Sequence, residues 1–159
     1  MIVIVWGVAG SGKSTVANEL ARRLQCEAFD ADDFHPKANI QKMAAGQPLN
    51  DRDRQPWLTD LRRLVDQYDA DETAILACSA LKASYRQILG FDQAYVRSVL
   101  LTGEYALIAD RLKQRHNHFM PADLLRSQFD SLETAHNGLT LDVKTTTAEL
   151  VDEIIRWLH

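Results

Sequence analysis

Eight consecutive residues, Gly7-Val8-Ala9-Gly10-Ser11-Gly12-Lys13-Ser14, carry the densest chemistry in the chain. They fit G-x-x-x-x-G-K-[ST], the pattern of a phosphate-binding loop (P-loop). Glycines let backbone N–H groups turn inward and cradle an anion, and a following helix adds the positive end of its dipole. Lys13 can reach the β- and γ-phosphates of a nucleotide, Ser14 can offer its hydroxyl to Mg²⁺, and Thr15 completes the nucleotide-binding run. A second cluster, Asp30-Ala31-Asp32-Asp33-Phe34-His35-Pro36, groups three carboxylates and a histidine. In phosphoryl transfer one carboxylate can take the proton of an attacking hydroxyl while another holds Mg²⁺ through water. The plain alternative is a solvated acidic loop.

Two cationic groups follow. Lys82 and Arg86 lie one helical turn apart and could clamp a carboxylate, or simply be solvated surface charges. Arg111 to His118 is a polar run bordering Phe119-Met120-Pro121. Cations there could cap a phosphate as a lid, with Arg115 as an arginine finger supplied in cis. Otherwise they are dipole-favoured charges at a helix end. His116 and His118 have no third ligand of matching type nearby, so a zinc site is not expected.

These residues need elements to position them. Ile2–Trp6 is an all-apolar run before the glycine loop, and Val16, Leu20 and Leu24 recur every four residues after it, with Ala17 and Ala21 beside them. That is strand, loop, helix. Cys26–Phe29 reads as a second strand delivering the acidic cluster at its carboxyl end, where open α/β sheets bind ligands. A short helix over Pro36–Ala45 is stopped by Gly46. The next helix has Pro56 in its first turn and Trp57, Leu61, Leu64, Val65 and Tyr68 facing inward, with Trp57 a core anchor. Thr73–Cys78 and Val96–Leu101 are further strands, and Glu104–Arg115 is a helix with Leu107, Ile108 and Leu112 inward. Pro121 opens a helix carrying Leu124, Leu125, Phe129 and Leu132. Gly138–Val143 alternates as a fifth, partly exposed strand, and Thr146-x-x-Glu149 is a capping box before a last helix. Alternating strands and helices predict an α/β fold with a parallel sheet covered on both faces.

Composition sets limits. The 159 residues suffice for one domain, and a net charge of −4 gives no electrostatic case for nucleic acid or an anionic membrane. No stretch approaches the ~20 apolar residues of a membrane span, and no signal-peptide pattern precedes the loop. Cys26 and Cys78 read as two buried free thiols, which suits a reducing cytoplasm.

Four further blocks narrow the reading. They are Asp30-Ala31-Asp32 with His35-Pro36 and Asn39 to Met43; Gly46-Gln47-Pro48-Leu49 with Asp51, Asp53, Arg54 and Pro56-Trp57-Leu58; Cys78 to Lys82 with Tyr85-Arg86; and His118-Phe119-Met120 with Leu124-Leu125, Ser127-Gln128-Phe129 and Leu132-Glu133. With the glycine loop they resemble the gluconate kinase family of small P-loop kinases, akin to shikimate and adenylate kinases. The resemblance runs from Met1 to about Glu133 and more loosely onward. It implies a three-layer P-loop kinase fold with a five-stranded parallel sheet, residues 1–159 as one kinase domain, and a mobile lid at about 111–121. It implies ATP-dependent phosphorylation of D-gluconate to 6-phosphogluconate with Mg²⁺. Gly7, Val8, Ala9, Gly10, Ser11, Gly12, Lys13, Ser14 and Thr15 would hold ATP, with Arg111 and Arg115 in the adenine and lid contacts. Asp32 would be the base or orienter for the acceptor hydroxyl, and Asp30 would join Ser14 at Mg²⁺. Arg54, Lys82 and Arg86 would hold gluconate, with His35 nearby. The resemblance also admits a homodimer. The chain departs from the family pattern at Asn117 and Gly90, where Gly and Arg are common, and after Glu133, where a Pro is usual. Two rivals stay open: a kinase for another small hydroxy-acid, and a nucleotide-binding regulatory module without turnover.

Overall fold

The computed structural model describes residues 1–69, 71–115 and 122–159. Its strands are β1 (Ile2–Trp6), β2 (Glu27–Asp30), β3 (Ala74–Cys78), β4 (Val96–Thr102) and β5 (Leu139–Asp142). Its helices are α1 (Lys13–Leu24), α2 (Lys37–Ala44), α3 (Asp51–Val65), α4 (Ala83–Ile88), α5 (Tyr105–Gln114), α6 (Ala122–Ser131) and α7 (Thr147–Leu158), with a 3₁₀ turn at Ala31–Phe34.

Strand β1 is buried along its whole length, and its side chains divide by parity. Val3 and Val5 pack with Val16 and Leu20 of α1, Ile108 of α5 and Ile154 of α7. Ile2, Ile4 and Trp6 pack with Trp57 and Leu61 of α3 and with Leu89 after α4. A strand apolar on both parities needs helices on both sides, and three layers result. The five strands are all parallel in the order β2-β3-β1-β4-β5. Register aligns their carboxyl ends: Trp6 pairs with Cys78 and Leu100, and Asp30 with Ala77. The glycine loop, the acidic turn and the segment Ser79–Lys82 therefore leave the sheet along one edge.

Several boundaries move from their expected places, each for a local reason. β2 reaches Asp30, because that residue is still in register with β3. α3 begins at Asp51, so Pro56 lies inside the helix and not in its first turn. The cause is a capping box in which Asn50 and Asp53 satisfy each other's backbone N–H groups, starting the helix early. Tyr68 falls beyond α3 and donates its hydroxyl to Glu27 Oε2 at 2.7 Å. Lys82 is the residue before α4 and not within it. Cys78 is buried, but Cys26 is only half-buried. The Thr146–Glu149 capping box forms as expected, starting α7. Pro121, His116, His118, Asn117 and the outer part of the lid expected at 111–121 lie outside the described residues.

Candidate active site

The glycine loop is set by close packing. Gly7 has φ +146° and Gly10 φ +77°; a Cβ would stand 2.5 Å from the Leu101 carbonyl oxygen at the first and 2.5 Å from Leu112 Cγ at the second. Only glycine fits either place. Gly12, with φ +94°, precedes α1 without a side-chain cap, so the first N–H groups of that helix are left for a ligand. Ser11 Oγ is buried with no hydrogen-bond partner among the described residues. A buried orphan hydroxyl in an anion cradle fits a nucleotide phosphate.

Lys13 Nζ folds over the loop and donates to the Val8 carbonyl at 2.9 Å. Burial lowers its pKa, opposed by the charges of Asp32 and Asp30, while Arg115 adds to the lowering. The two acidic side chains and the two cations thus feel each other across one site. Asp30 ends β2 and accepts from Ser14 Oγ at 2.6 Å; its other oxygen accepts from the Asp32 backbone N–H at 3.0 Å. That second bond caps the 3₁₀ turn and orients Asp32. Asp32 stays open to solvent, yet surrounding protein and then Asp30 push its carboxyl above the usual carboxylate range, with Lys13 and His35 pulling it back. A raised carboxyl beside a lysine is the electrostatic pattern of an acid–base group.

His35 stacks on Trp57, with ring centroids 4.4 Å apart and planes at 9°. Trp57 donates its indole N–H to the Ala31 carbonyl at 2.7 Å, tying α3 to the acidic turn. Trp57 is the expected core anchor and also the platform for His35. Burial lowers the His35 pKa, which keeps the ring neutral near pH 7.

The three cations assigned to the acceptor separate into two groups. Arg54 and Lys82 both stand against the Tyr85 ring, at 5.6 and 5.5 Å from its centroid. Arg54 Nη1 donates to the Tyr85 hydroxyl at 3.2 Å, Tyr85 donates to Asp51, and Lys82 Nζ pairs with Asp51 at 3.2 Å. Arg86 lies elsewhere. It is 3% exposed, so the solvated-charge alternative fails. Its guanidinium faces the Trp6 ring at 4.3 Å and donates to the carbonyls of Ala80, Leu81 and Ala135. Ala80 has φ +42°, a left-handed turn that costs a non-glycine residue about 1–2 kcal/mol. Arg86 pins that turn. Gly90 follows α4 with φ +80°, a left-handed backbone that other residues adopt only under strain; a Cβ there would meet the movable end of Arg62, Nη1, at 2.5 Å.

Arg111 borders the other end of the loop. It donates to the Val143 carbonyl at 2.5 Å and, with Ser11, Gly12, Lys144, Thr146 and Leu150, lines a cavity of about 350 Å³. The loop Lys144–Thr147 was not legible as part of a site, because its only sequence signal is a helix cap. Asp51, Tyr85 and Gln128 were also missed as site residues. Arg115 is exposed just after α5. A larger groove of about 690 Å³ runs past Arg86, Phe91, Arg97, His136 and Trp157 but includes no glycine-loop residue and not Asp32, so size does not mark the chemical site.

Among the described residues no group of three His, Cys, Asp or Glu side chains could cage a metal. The Ser14 hydroxyl and Asp30 carboxylate are hard oxygen donors 2.6 Å apart, which fits Mg²⁺, an ion that keeps several waters and takes few protein ligands.

The chain is similar to known proteins over most of its length. The shikimate kinase family model matches residues 9–159. A gluconokinase of Gluconobacter oxydans is 47% identical over 132 residues, covering 82% of this chain and 74% of that protein. A sugar kinase structure from Janibacter sp. HTCC2649 superposes with a TM-score of 0.89 at 40% identity, covering 99% of this chain and 93% of its own. A gluconokinase structure from Sinorhizobium meliloti 1021 superposes at 0.85 with 36% identity, covering 98% and 90%. Relatives this similar over most of both chains show the family: this chain is a member of the gluconokinase family, on the P-loop kinase fold shared with shikimate kinase.

Proposed function

We propose that the chain transfers the γ-phosphoryl group of ATP to D-gluconate, giving ADP and 6-phosphogluconate. The observation that carries this is the convergence of Lys13, Asp30 and Asp32 at the carboxyl edge of the sheet, with Arg54 and Lys82 gathered around Tyr85. The loop Gly7–Thr15 binds the phosphates, Arg111 and the Lys144–Thr147 loop border the base, and Arg115 adds positive charge near Lys13. Ser14 and Asp30 hold Mg²⁺, which when bound neutralises phosphate charge. Asp32 takes the proton of the attacking hydroxyl; its raised pKa makes it a better base than an ordinary carboxylate. Arg54 and Lys82 grip the gluconate carboxylate, with Lys82 exchanging Asp51 for the substrate. His35, held flat on Trp57 and neutral, can hydrogen-bond a sugar hydroxyl. Arg86 holds the Ala80 turn and acts on the acceptor only through it.

ADP release should be measured with ATP and a panel of acceptors: D-gluconate, shikimate, a nucleoside, and none. Release above background with gluconate alone is the expected result. Preference for another acid would keep the scaffold reading and overturn the substrate; no release with any acceptor would favour a module without turnover.

A further inference from the structure

The leading turn of the glycine loop is bonded to a helix far away in sequence. The Ala9 backbone N–H donates to Gln128 Oε1 at 2.7 Å, across 119 residues. Ala9 is the third residue of the motif, inside the segment whose N–H groups form the anion cradle. One cradle N–H is therefore satisfied by a side chain before any nucleotide arrives.

That side chain sits on a docked helix. Leu125 of α6 is 2% exposed in the core beneath the loop, and Phe129 packs edge-on against Tyr105 of α5 at 5.4 Å. Arg126 covers the same Tyr105 ring at 4.1 Å. Leu125, Gln128 and Phe129 share the inward face of α6 by their i, i+3 and i+4 spacing, and Leu132, just past the helix, also packs on the core. Elsewhere the leading turn is held by the Gly7 N–H to the Ser79 carbonyl at 3.3 Å, by Lys13 Nζ to the Val8 carbonyl at 2.9 Å, and by the approach of Leu112 to Gly10; of the two side-chain bonds, the one from Lys13 is made by a group that the kinase reading turns toward the phosphates. The packing of Leu125 and Phe129 fixes the backbone from which Gln128 reaches the loop, so its carboxamide stands at the Ala9 amide by default and leaves it only by changing its own rotamer.

We infer that Gln128 is a positioning residue of the phosphate-binding loop: its carboxamide oxygen holds the Ala9 amide in place, so that α6 sets the geometry in which the transferred phosphoryl group meets the acceptor. The inference rests on the kinase reading above. It goes beyond it in assigning the alignment of the loop to a side chain that touches neither ATP nor acceptor. Loss of the brace leaves the loop free to shift while most of its phosphate-binding amides remain, so turnover suffers more than nucleotide binding. Misplacement of reacting groups by about 1 Å costs on the order of 10²-fold in rate.

Two variants test it. Gln128→Leu keeps bulk and removes the acceptor. Gln128→Glu keeps an acceptor oxygen at the same reach and adds a negative charge near the phosphates. Three quantities are measured on each: affinity for a non-hydrolysable ATP analogue without acceptor, kcat with saturating ATP and gluconate, and the thermal midpoint. Gln128→Leu should lower kcat by about 10–100-fold, with analogue affinity unchanged or weakened by less than about threefold. Gln128→Glu should recover most of kcat at saturating ATP while raising KM for ATP, a split that loss of stability does not produce. Tighter analogue binding in Gln128→Leu would overturn the brace and make Gln128 a competitor of phosphate. An unchanged kcat in Gln128→Leu, or a Gln128→Glu enzyme as slow as Gln128→Leu, would overturn it as well. The analogue measurement needs no acceptor, so a wrong substrate assignment shows itself in the wild type and leaves the binding comparison intact.

Discussion

In the proposed reaction turnover depends on Lys13 and Asp32, for opposite electrostatic reasons. Lys13 is a loop cation that donates to the Val8 carbonyl and, in the proposed reaction, exchanges it for the phosphates. Lys13→Met should abolish gluconate-dependent ADP release while the thermal midpoint holds to within a few degrees, because the hydrogen bond it removes is the one to the Val8 carbonyl and Met keeps the apolar stem; near-normal release would remove Lys13 from the mechanism. Asp32 must be ionised to accept a proton, and its pKa lies above the ordinary carboxylate value because protein surrounds it and Asp30 stands beside it. Protonation therefore sets in at higher pH than for a free aspartate. The acidic limb of the kcat profile should lie above about pH 4, the ordinary aspartate range, and vanish in Asp32→Asn. That variant should also lose about 10²–10⁴-fold in kcat, the usual range for a positioned base. An acidic limb that persists unchanged in Asp32→Asn belongs to another group.

The elements decide which cations reach the acceptor. Arg86 shows why residue type and spacing were not enough. Its place one turn after Lys82 suggested a shared clamp, but α4 begins only at Ala83 and turns Arg86 inward beneath the Ala80 turn. Arg86→Leu should therefore act first on stability. It leaves three carbonyls without their charged donor, a loss of about 2–4 kcal/mol, read as a lower denaturant midpoint. Lys82→Ala should instead raise KM for gluconate with little change in stability, since its partner Asp51 is a surface carboxylate. If Lys82→Ala destabilises and Arg86→Leu only raises KM, the two roles are exchanged. The start of α3 was the least legible helix boundary. The Asn50–Asp53 box is visible in sequence, but Pro56 drew the predicted start of α3 past it. The strands were legible to within a residue or so at most ends, because runs such as Ile2–Trp6 and Thr73–Cys78 are apolar on both faces and bounded by polar turns. Contacts that join distant segments, such as Gln128 with Ala9 or Lys144–Thr147 with Arg111, leave no local pattern and appear only once the chain is folded.

The sheet order β2-β3-β1-β4-β5 brings all of this to one edge. β1 supplies the loop, β2 the acidic turn and β3 the Ala80 turn, side by side, while α5 and α6 close on the loop through Leu112 and Gln128. In the proposed reaction a nucleotide side and an acceptor side then meet at Lys13 and Asp32. The most direct test of that meeting is ³¹P NMR of the purified protein with Mg²⁺, ATP and D-gluconate, run beside Asp32→Asn. The wild type should convert ATP into equal amounts of ADP and a single phosphomonoester with the mass of phosphogluconate, and Asp32→Asn should do so at least about 10²-fold more slowly. ATP left intact, ATP converted to ADP and inorganic phosphate without a phosphoester, or equal rates in the two proteins would contradict the account.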